Sequence, residues 1–152
     1  MTAWTETAQT LLDTARREGI LRKEAACWLL AECGAGRSKW PDALQEAGYI
    51  TWTHQEEEDW DLADVQWERL AGDLARSDPL YGTGAELCVL RFACSLVTGT
   101  GGPWGDDLPR LDHTNRRLVL GAIAWASGGA SAASGYILDE PQTGHTPSFR
   151  VL

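Results

Sequence analysis

The spacing of apolar residues predicts a mainly helical chain. In six segments they recur every three or four positions, and most of these segments end at a glycine, which commonly terminates helices. The predicted helices cover residues 3–18, 21–33, 41–47, 62–76, 84–97 and 113–127. The last two are apolar on nearly every side, as is typical of helices in the middle of a domain. We therefore expect a single-domain bundle of five or six helices around a central buried helical hairpin formed by these two.

The fourth predicted helix has one apolar stripe, with Asp64 and Glu68 on its other face. Val65, Leu70 and Leu74 would form its buried stripe, and Asp61 would be its N-cap. Just before this helix, residues 49–52 ("YITW") are β-prone, but the sequence offers them no strong pairing partner. Residues 135–139 are one candidate partner, so the expected fold leaves room for a small β element.

The composition is that of one folded domain. The 152 residues include 43% hydrophobic and 23% charged residues, and no continuous apolar run reaches the ~18 residues needed to span a bilayer. The N-terminus lacks the basic and apolar regions of a signal peptide. We expect a cytoplasmic protein without membrane contact and a single helical domain over residues 1–152. Residues 129–152 would form a Gly/Ser/Ala-rich tail or a minor β segment.

Negative charge is concentrated in the middle of the chain. The formal net charge is −9, and residues 41–78 alone hold eleven acids and two bases. An acidic surface repels nucleic-acid phosphates and attracts basic protein surfaces, so the charge disfavours nucleic acid as a partner. The alternative explanation is a solvated helix face with an acidic first turn.

Tryptophans flank the acidic segment. Of the eight tryptophans, Trp52, Trp60 and Trp67 lie within residues 52–68. Aromatic residues beside charges are enriched at protein interfaces, but they also clamp short helices over a core, which we favour for Trp67. We predict a non-enzymatic protein-interaction module, such as a regulatory or phage- or defence-related inhibitor or adaptor, whose partner has a basic surface. A homodimer is also compatible with a tryptophan-rich surface. The predicted partner-binding residues are Trp52, Glu56, Glu57, Glu58, Asp59, Trp60, Asp64 and Glu68.

Residues 98–117, "TGTGGPWGDDLPRLDHTNRR", have the composition of a ligand-binding segment but not its spacing. A Walker A loop requires a lysine after its glycines, and none follows here. Trp104 stands where a dinucleotide-binding motif has its third glycine. The aspartates and the histidine match no metal-binding spacing. We interpret the stretch as the corner between two helices, with Asp112 as the N-cap of the second, and we predict no cofactor and no metal.

The sequence contains no catalytic set that we recognise. Its three histidines are scattered, and none of its four cysteines lies in a known nucleophile signature. Within a helix, the spacing of Cys27/Cys33 and of Cys88/Cys94 would separate each pair by ~9 Å along the axis, too far for a disulfide. It also misses the short spacing of a zinc site. We expect buried thiols, and an enzyme with an unrecognised site remains an alternative.

Residues 22–52 permit a different alternative, DNA binding. Their predicted order of helix, turn, helix and wing-like "YITW" is that of winged-helix proteins. However, the predicted recognition helix, "PDALQEA", carries Asp42 and Glu46 and no arginine, lysine or asparagine that could donate to base edges. A winged-helix-like DNA-binding regulator using residues 22–52 is the principal alternative to the protein-interaction module.

Two segments within residues 85–128, "AELCVLRFACSLVTG" and "LPRLDHTNRRLVLGAIAWASG", carry a resemblance. Their order is similar to that in small uncharacterised actinobacterial proteins, where a "VLR-A-SL" helix precedes an "L-LD--N--LVL-A--HA-G" helix. Trp125 stands where that pattern has a histidine. The resemblance implies two consecutive helices and no particular activity. Arginine outnumbers lysine 11 to 2, which also suggests a GC-rich bacterial or phage genome.

Overall fold

A computed structural model of the protein describes residues 4–34, 38–77, 79–101, 105 and 108–137. This part of the chain is mainly helical and contains one antiparallel sheet of two strands, which confirms the expected fold class. Its elements in chain order are α1 (Glu6–Glu18), α2 (Leu21–Glu32), α3 (Trp40–Glu46), β1 (Ile50–Gln55), β2 (Trp60–Val65), α4 (Trp67–Arg76), α5 (Gly84–Thr98), a 3₁₀ turn (Leu108–Arg110) and α6 (His113–Ile137).

Helix α2 occupies the centre of the fold. Every residue from 25 to 31 is buried, and the helix packs against α1, α5 and α6. Trp28 of α2 lies against Trp125 of α6, with their ring centroids 5.6 Å apart, and both are buried in the core. Helices α5 and α6 contact each other less extensively than each contacts α2. The central position therefore belongs to α2 rather than to the expected hairpin of α5 and α6.

Helix α6 buries one face and exposes the other. Val119, Ala122 and Trp125 are in the core, whereas Leu120 and Ile123 are 48% and 39% exposed. The sequence pattern, apolar on nearly every side, suggested a helix surrounded by protein. The described part of the chain covers only the face that packs on α2.

Helix α6 is also longer than predicted. It runs to Ile137 through a break at Gly129, whose φ of 80° is the left-handed conformation that favours glycine. Residues 135–137, considered as part of a strand, are therefore helical, and the remainder of the predicted tail, 138–152, lies outside the described residues. By length and composition alone, the segment His113–Gly135 could cross a membrane, since its mean hydropathy is 1.2. Core helices that never meet a membrane pass the same test.

The largest difference from prediction lies at the start of the fourth helix. Residues 60–65 form a strand, and α4 begins only at Trp67. Asp61 is consequently a strand residue, not an N-cap, and Val65 is buried from the strand while Leu70 and Leu74 are buried from the helix. This acidic segment is the pairing partner of "YITW", since it forms an antiparallel hairpin with β1.

Local signals set most helix ends where the sequence placed them. Gly19 ends α1 in the left-handed conformation, and its amide donates to the carbonyls of Ala15 and Arg16. Gly99 ends α5 in the same way. The side chain of Asp112 accepts a 2.7 Å hydrogen bond from the Asn115 amide at the start of α6, which confirms the predicted cap.

Candidate functional site

The acidic hairpin, residues 50–65, is the candidate site. Its strands pair in continuous register from Ile50 opposite Val65 to Gln55 opposite Trp60. Residues 56–59 form the connecting turn, which we call the tip. From 54 to 64 the hairpin carries six acids and no lysine or arginine, so most of the acidic excess of the chain is gathered on this one hairpin.

A side-chain hydrogen bond fixes the outer edge of β2 against α1. The Ala63 amide donates to Thr14 Oγ1 over 3.1 Å, and both residues are buried. Thr14 in turn donates to the carbonyl of Thr10 within α1. The amide of Ala63 points away from β1, so α1 covers the edge of β2 that the hairpin itself leaves unpaired.

Basic residues hold the acidic strand at its two ends. The Arg17 guanidinium lies 3.3 Å from the ring centroid of Trp60, and its Nη1 is 3.7 Å from Glu58. Lys23 Nζ lies 3.2 Å from Asp64 and also contacts Glu18. Partial burial acts to lower the pKa of Lys23, but its hydrogen bonds to these carboxylates outweigh the burial and raise it. The hairpin is thus anchored to α1 and to the start of α2.

The tip is exposed throughout. All four residues from 56 to 59 are exposed, and the Asp59 side chain is 96% accessible. Asp59 has a φ of 48°, unusual for a residue other than glycine and common for aspartate in tight turns. His54 Nδ1 lies 2.9 Å from Asp61 Oδ1 across the strands, which places an imidazole between the tip and the acids of β2.

The eight predicted partner-binding residues fall into three groups. The first is the tip, which comprises Glu56, Glu57, Glu58 and Asp59. Trp60 and Asp64 make the second group, since both contact basic residues of the protein itself. The third lies apart: Trp52 is 38% exposed on β1, where its indole donates to Gln45, and Glu68 is exposed in the first turn of α4. Trp67 is buried, as predicted.

Sequence reasoning missed the residues that position the hairpin. The hairpin is contacted by Thr14, Arg17 and Lys23, each of which is more than 40 positions away in the sequence from the residue that it contacts. None of them carries a local signal, because Thr14 and Arg17 are ordinary residues of the amphipathic helix α1 and Lys23 is an ordinary polar residue at the start of α2. Only a correct prediction that β1 pairs with β2 would have indicated that an acidic strand lies beside α1.

A second feature is a small polar cavity of about 230 Å³ where α2 ends and α5 and α6 begin. Its lining includes Cys33, Lys39, Glu86 and Asn115. Lys39 Nζ lies 2.8 Å from Glu86, and this hydrogen bond holds the pKa of the Glu86 carboxyl below its usual range. Among the described residues, Asn115 Oδ1 is buried without a hydrogen-bond partner.

The cysteines do not equip this cavity for nucleophilic chemistry. Burial raises the pKa of the Cys33 thiol to about 11 and that of the Cys94 thiol to about 12, so both are protonated at neutral pH. Neither His54 nor His113 is among the described residues that line the cavity. All four cysteines are buried, and none of them forms a disulfide within the described part of the chain, as expected for small core residues.

The glycine-rich stretch 98–117 serves as a helix corner where the structure describes it. Gly99 ends α5, Asp112 begins α6, and His113 is exposed in the first turn of α6. Trp104, Asp106 and Asp107 lie outside the described residues. Within the described part of the chain, no three histidine, cysteine, aspartate or glutamate residues are grouped so that they could hold a metal ion.

Comparison with known proteins adds no assignment: no family model, no curated protein and no solved structure matches this chain.

Proposed function

We propose that the protein is an interaction module that binds a basic protein surface through the tip and the exposed strand of the acidic hairpin. The observation that carries the proposal is the tip, where four consecutive acids are all exposed at the turn of the hairpin. A regulatory inhibitor or adaptor is the corresponding role. The most specific version of this proposal is an inhibitor that occupies the nucleic-acid channel of its partner.

The anchoring of the hairpin supports this proposal. Charged groups bind best when their positions are fixed before the partner arrives, because less conformational entropy is then lost. Arg17 and Lys23 hold Trp60 and Asp64, and Thr14 holds the strand edge. These contacts use the acids near α1 and leave most of the tip charge directed to solvent.

Charge relocation tests the proposal. One variant neutralises the tip (Glu56→Gln, Glu57→Gln, Glu58→Gln and Asp59→Asn), and a matched control neutralises four exposed acids elsewhere (Glu6→Gln, Asp13→Asn, Asp42→Asn and Glu46→Gln). Both changes move the formal net charge from −9 to −5. We expect immobilised wild type and control to retain the same salt-sensitive proteins from an extract of the source cells, and the tip variant to lose them. Equal loss from the two variants would show that only net charge matters, and full retention by the tip variant would show that the tip acids are not needed; either result would remove the tip as the site.

One observation favours DNA binding as a second candidate. The order of α2, α3 and the β1–β2 hairpin is the order of helix, turn, helix and wing considered from the sequence. The charges oppose it, because α3 exposes Asp42 and Glu46 and the hairpin tip is acidic. A gel shift with genomic DNA fragments at low ionic strength tests this candidate, and no shift under those conditions removes it.

A further inference from the structure

The outer edge of β1 is an open template for a further strand. β1 pairs with β2 on one side, and in the described part of the chain no backbone hydrogen bond joins its other side to another segment. Five of its six residues are exposed. The outer edge of β2, in contrast, is covered by α1 through the bond from Ala63 to Thr14.

Two hydrogen bonds, from the Ala63 amide to Thr14 and from the Gln66 amide to Tyr49, define which amides of β1 point outward. Ala63 directs its amide away from β1, so the facing pair Trp52 and Ala63 exchanges no backbone bond. The amide of Gln66 donates to the Tyr49 carbonyl, so that pair is bonded. Bonded and non-bonded pairs alternate in an antiparallel ladder, and both observations give the same phase. The backbone groups of Ile50, Trp52 and His54 therefore face outward.

β1 lacks the devices that usually protect an exposed edge. Proteins block such edges with lysine, proline, bulges or a covering element, because unpaired amides and carbonyls bind other chains. The strand reads "ITWTHQ", with neither lysine nor proline, and its register with β2 has no bulge. Isoleucine, threonine and tryptophan instead favour extended pairing.

We propose that the edge of β1 receives an extended, basic segment of the partner protein as a third strand of the sheet. Charge complementarity selects this occupant, since residues 54–64 carry six acids and no lysine or arginine. The added strand would bond to the backbone of Trp52 and His54, and lysine or arginine at its end would lie beside the tip. This inference rests on the proposed function, because it specifies how the basic partner is held.

Two substitutions at one position test the backbone contact. His54→Ala and His54→Pro both remove the imidazole, but only proline removes the outward N–H, and it leaves the inward bonds to β2 in place. The probe is a short peptide of alternating lysine and valine. Its control is the same sequence with D-residues at alternate positions, which has equal charge but cannot extend a sheet. We expect the alanine variant to bind the probe like wild type and the proline variant to bind about tenfold more weakly.

Hydrogen exchange of the wild-type protein provides a second measurement that does not depend on a variant folding correctly. The amides of Trp52 and His54 should exchange rapidly in the free protein and slow when the probe binds, whereas the amide of Thr53 should be protected throughout. Equal binding of the probe and its D-containing isomer, or unchanged exchange at both outward amides, would overturn the inference. So would protection of these amides by increasing concentration of the protein alone, because the occupant would then be a second copy. Loss of binding in the tip variant with no loss in His54→Pro would refute strand addition and leave the proposed function intact.

Discussion

Replacement of Thr14 by valine is expected to release the acidic hairpin from α1. Valine has the shape of threonine but offers no acceptor to the Ala63 amide, which is buried and 3.1 Å from Thr14 Oγ1. Loss of one partner leaves a buried donor unsatisfied, at a cost of about 1–3 kcal/mol. For a chain of 152 residues, each kcal/mol corresponds to a fall in Tm of about 2–4 °C.

Thr14→Ser is the matched control. Serine keeps the hydroxyl and the bond to Ala63, and it removes one methyl group from a residue that is 3% exposed, a loss of about 0.8 kcal/mol. Because the two stability changes are close, the deciding assay is hydrogen exchange at the Ala63 amide. Urea unfolding followed by tryptophan fluorescence gives the free energies of unfolding. We expect slow exchange at Ala63 in wild type and Thr14→Ser and fast exchange in Thr14→Val.

Protection of the Ala63 amide in Thr14→Val equal to that in wild type would refute this reasoning. The amide would then have another partner, and the assignment of inward and outward amides along β1 would lose one of its two supports. An unchanged free energy of unfolding in Thr14→Val would likewise show that α1 does not fix the edge of β2.

Three further predictions concern the core, a helix cap and pH. Leu29→Ala, at a fully buried position of the central helix, should lower the free energy of unfolding by about 2–5 kcal/mol. The matched change Leu120→Ala, at an exposed position, should cost far less. Similar losses in the two variants would contradict the central place of α2. Thr83→Ala should cost about 1 kcal/mol in urea unfolding because it removes the capping box with Glu86, and no change would show that this cap is dispensable. Hydrogen bonds from Tyr49 and Arg76 lower the pKa of Asp73, so its contribution is present above the unfolded-state pKa of about 3.9 and is lost as pH falls through the lower folded value. Below pH 4, the free energy of unfolding of wild type should therefore fall more steeply with decreasing pH than that of Asp73→Asn. An equal pH dependence in the two proteins would exclude this linkage.

The helices were predictable because their signals are local. Gly19 and Asp112 lie next to the helix ends that they set, and the apolar positions of each helix repeat within a few residues. The central place of α2 was less visible, although its residues 25–31 are almost all apolar. Choosing among several apolar helices depends on which of them pack together, and a single sequence does not contain that information directly.

The hairpin could not be predicted for a physical reason. Leu70 and Leu74 are four positions apart, as on one face of a helix, but Val65 lies five positions before Leu70 and does not share that face, and the alternation of Trp60 and Leu62 with polar residues is only two positions long. A strand gains its stability from its neighbours, in this case β1 and the Thr14 side chain of α1. The acidic segment was correctly singled out by its charge, but its shape depends on contacts that are distant in sequence.

Site-specific photo-crosslinking in the source cells tests the central claim most directly. A photoreactive amino acid at position 57 of the tip, at position 53 on β1, and at position 120 on the exposed face of α6 samples the proposed site and a competing apolar surface. We expect positions 57 and 53 to crosslink to one protein, at a segment rich in lysine or arginine, and position 120 to give no crosslink to that protein. Crosslinks to a partner from position 120, with none from positions 57 and 53, would contradict the assignment of the acidic hairpin as the binding surface.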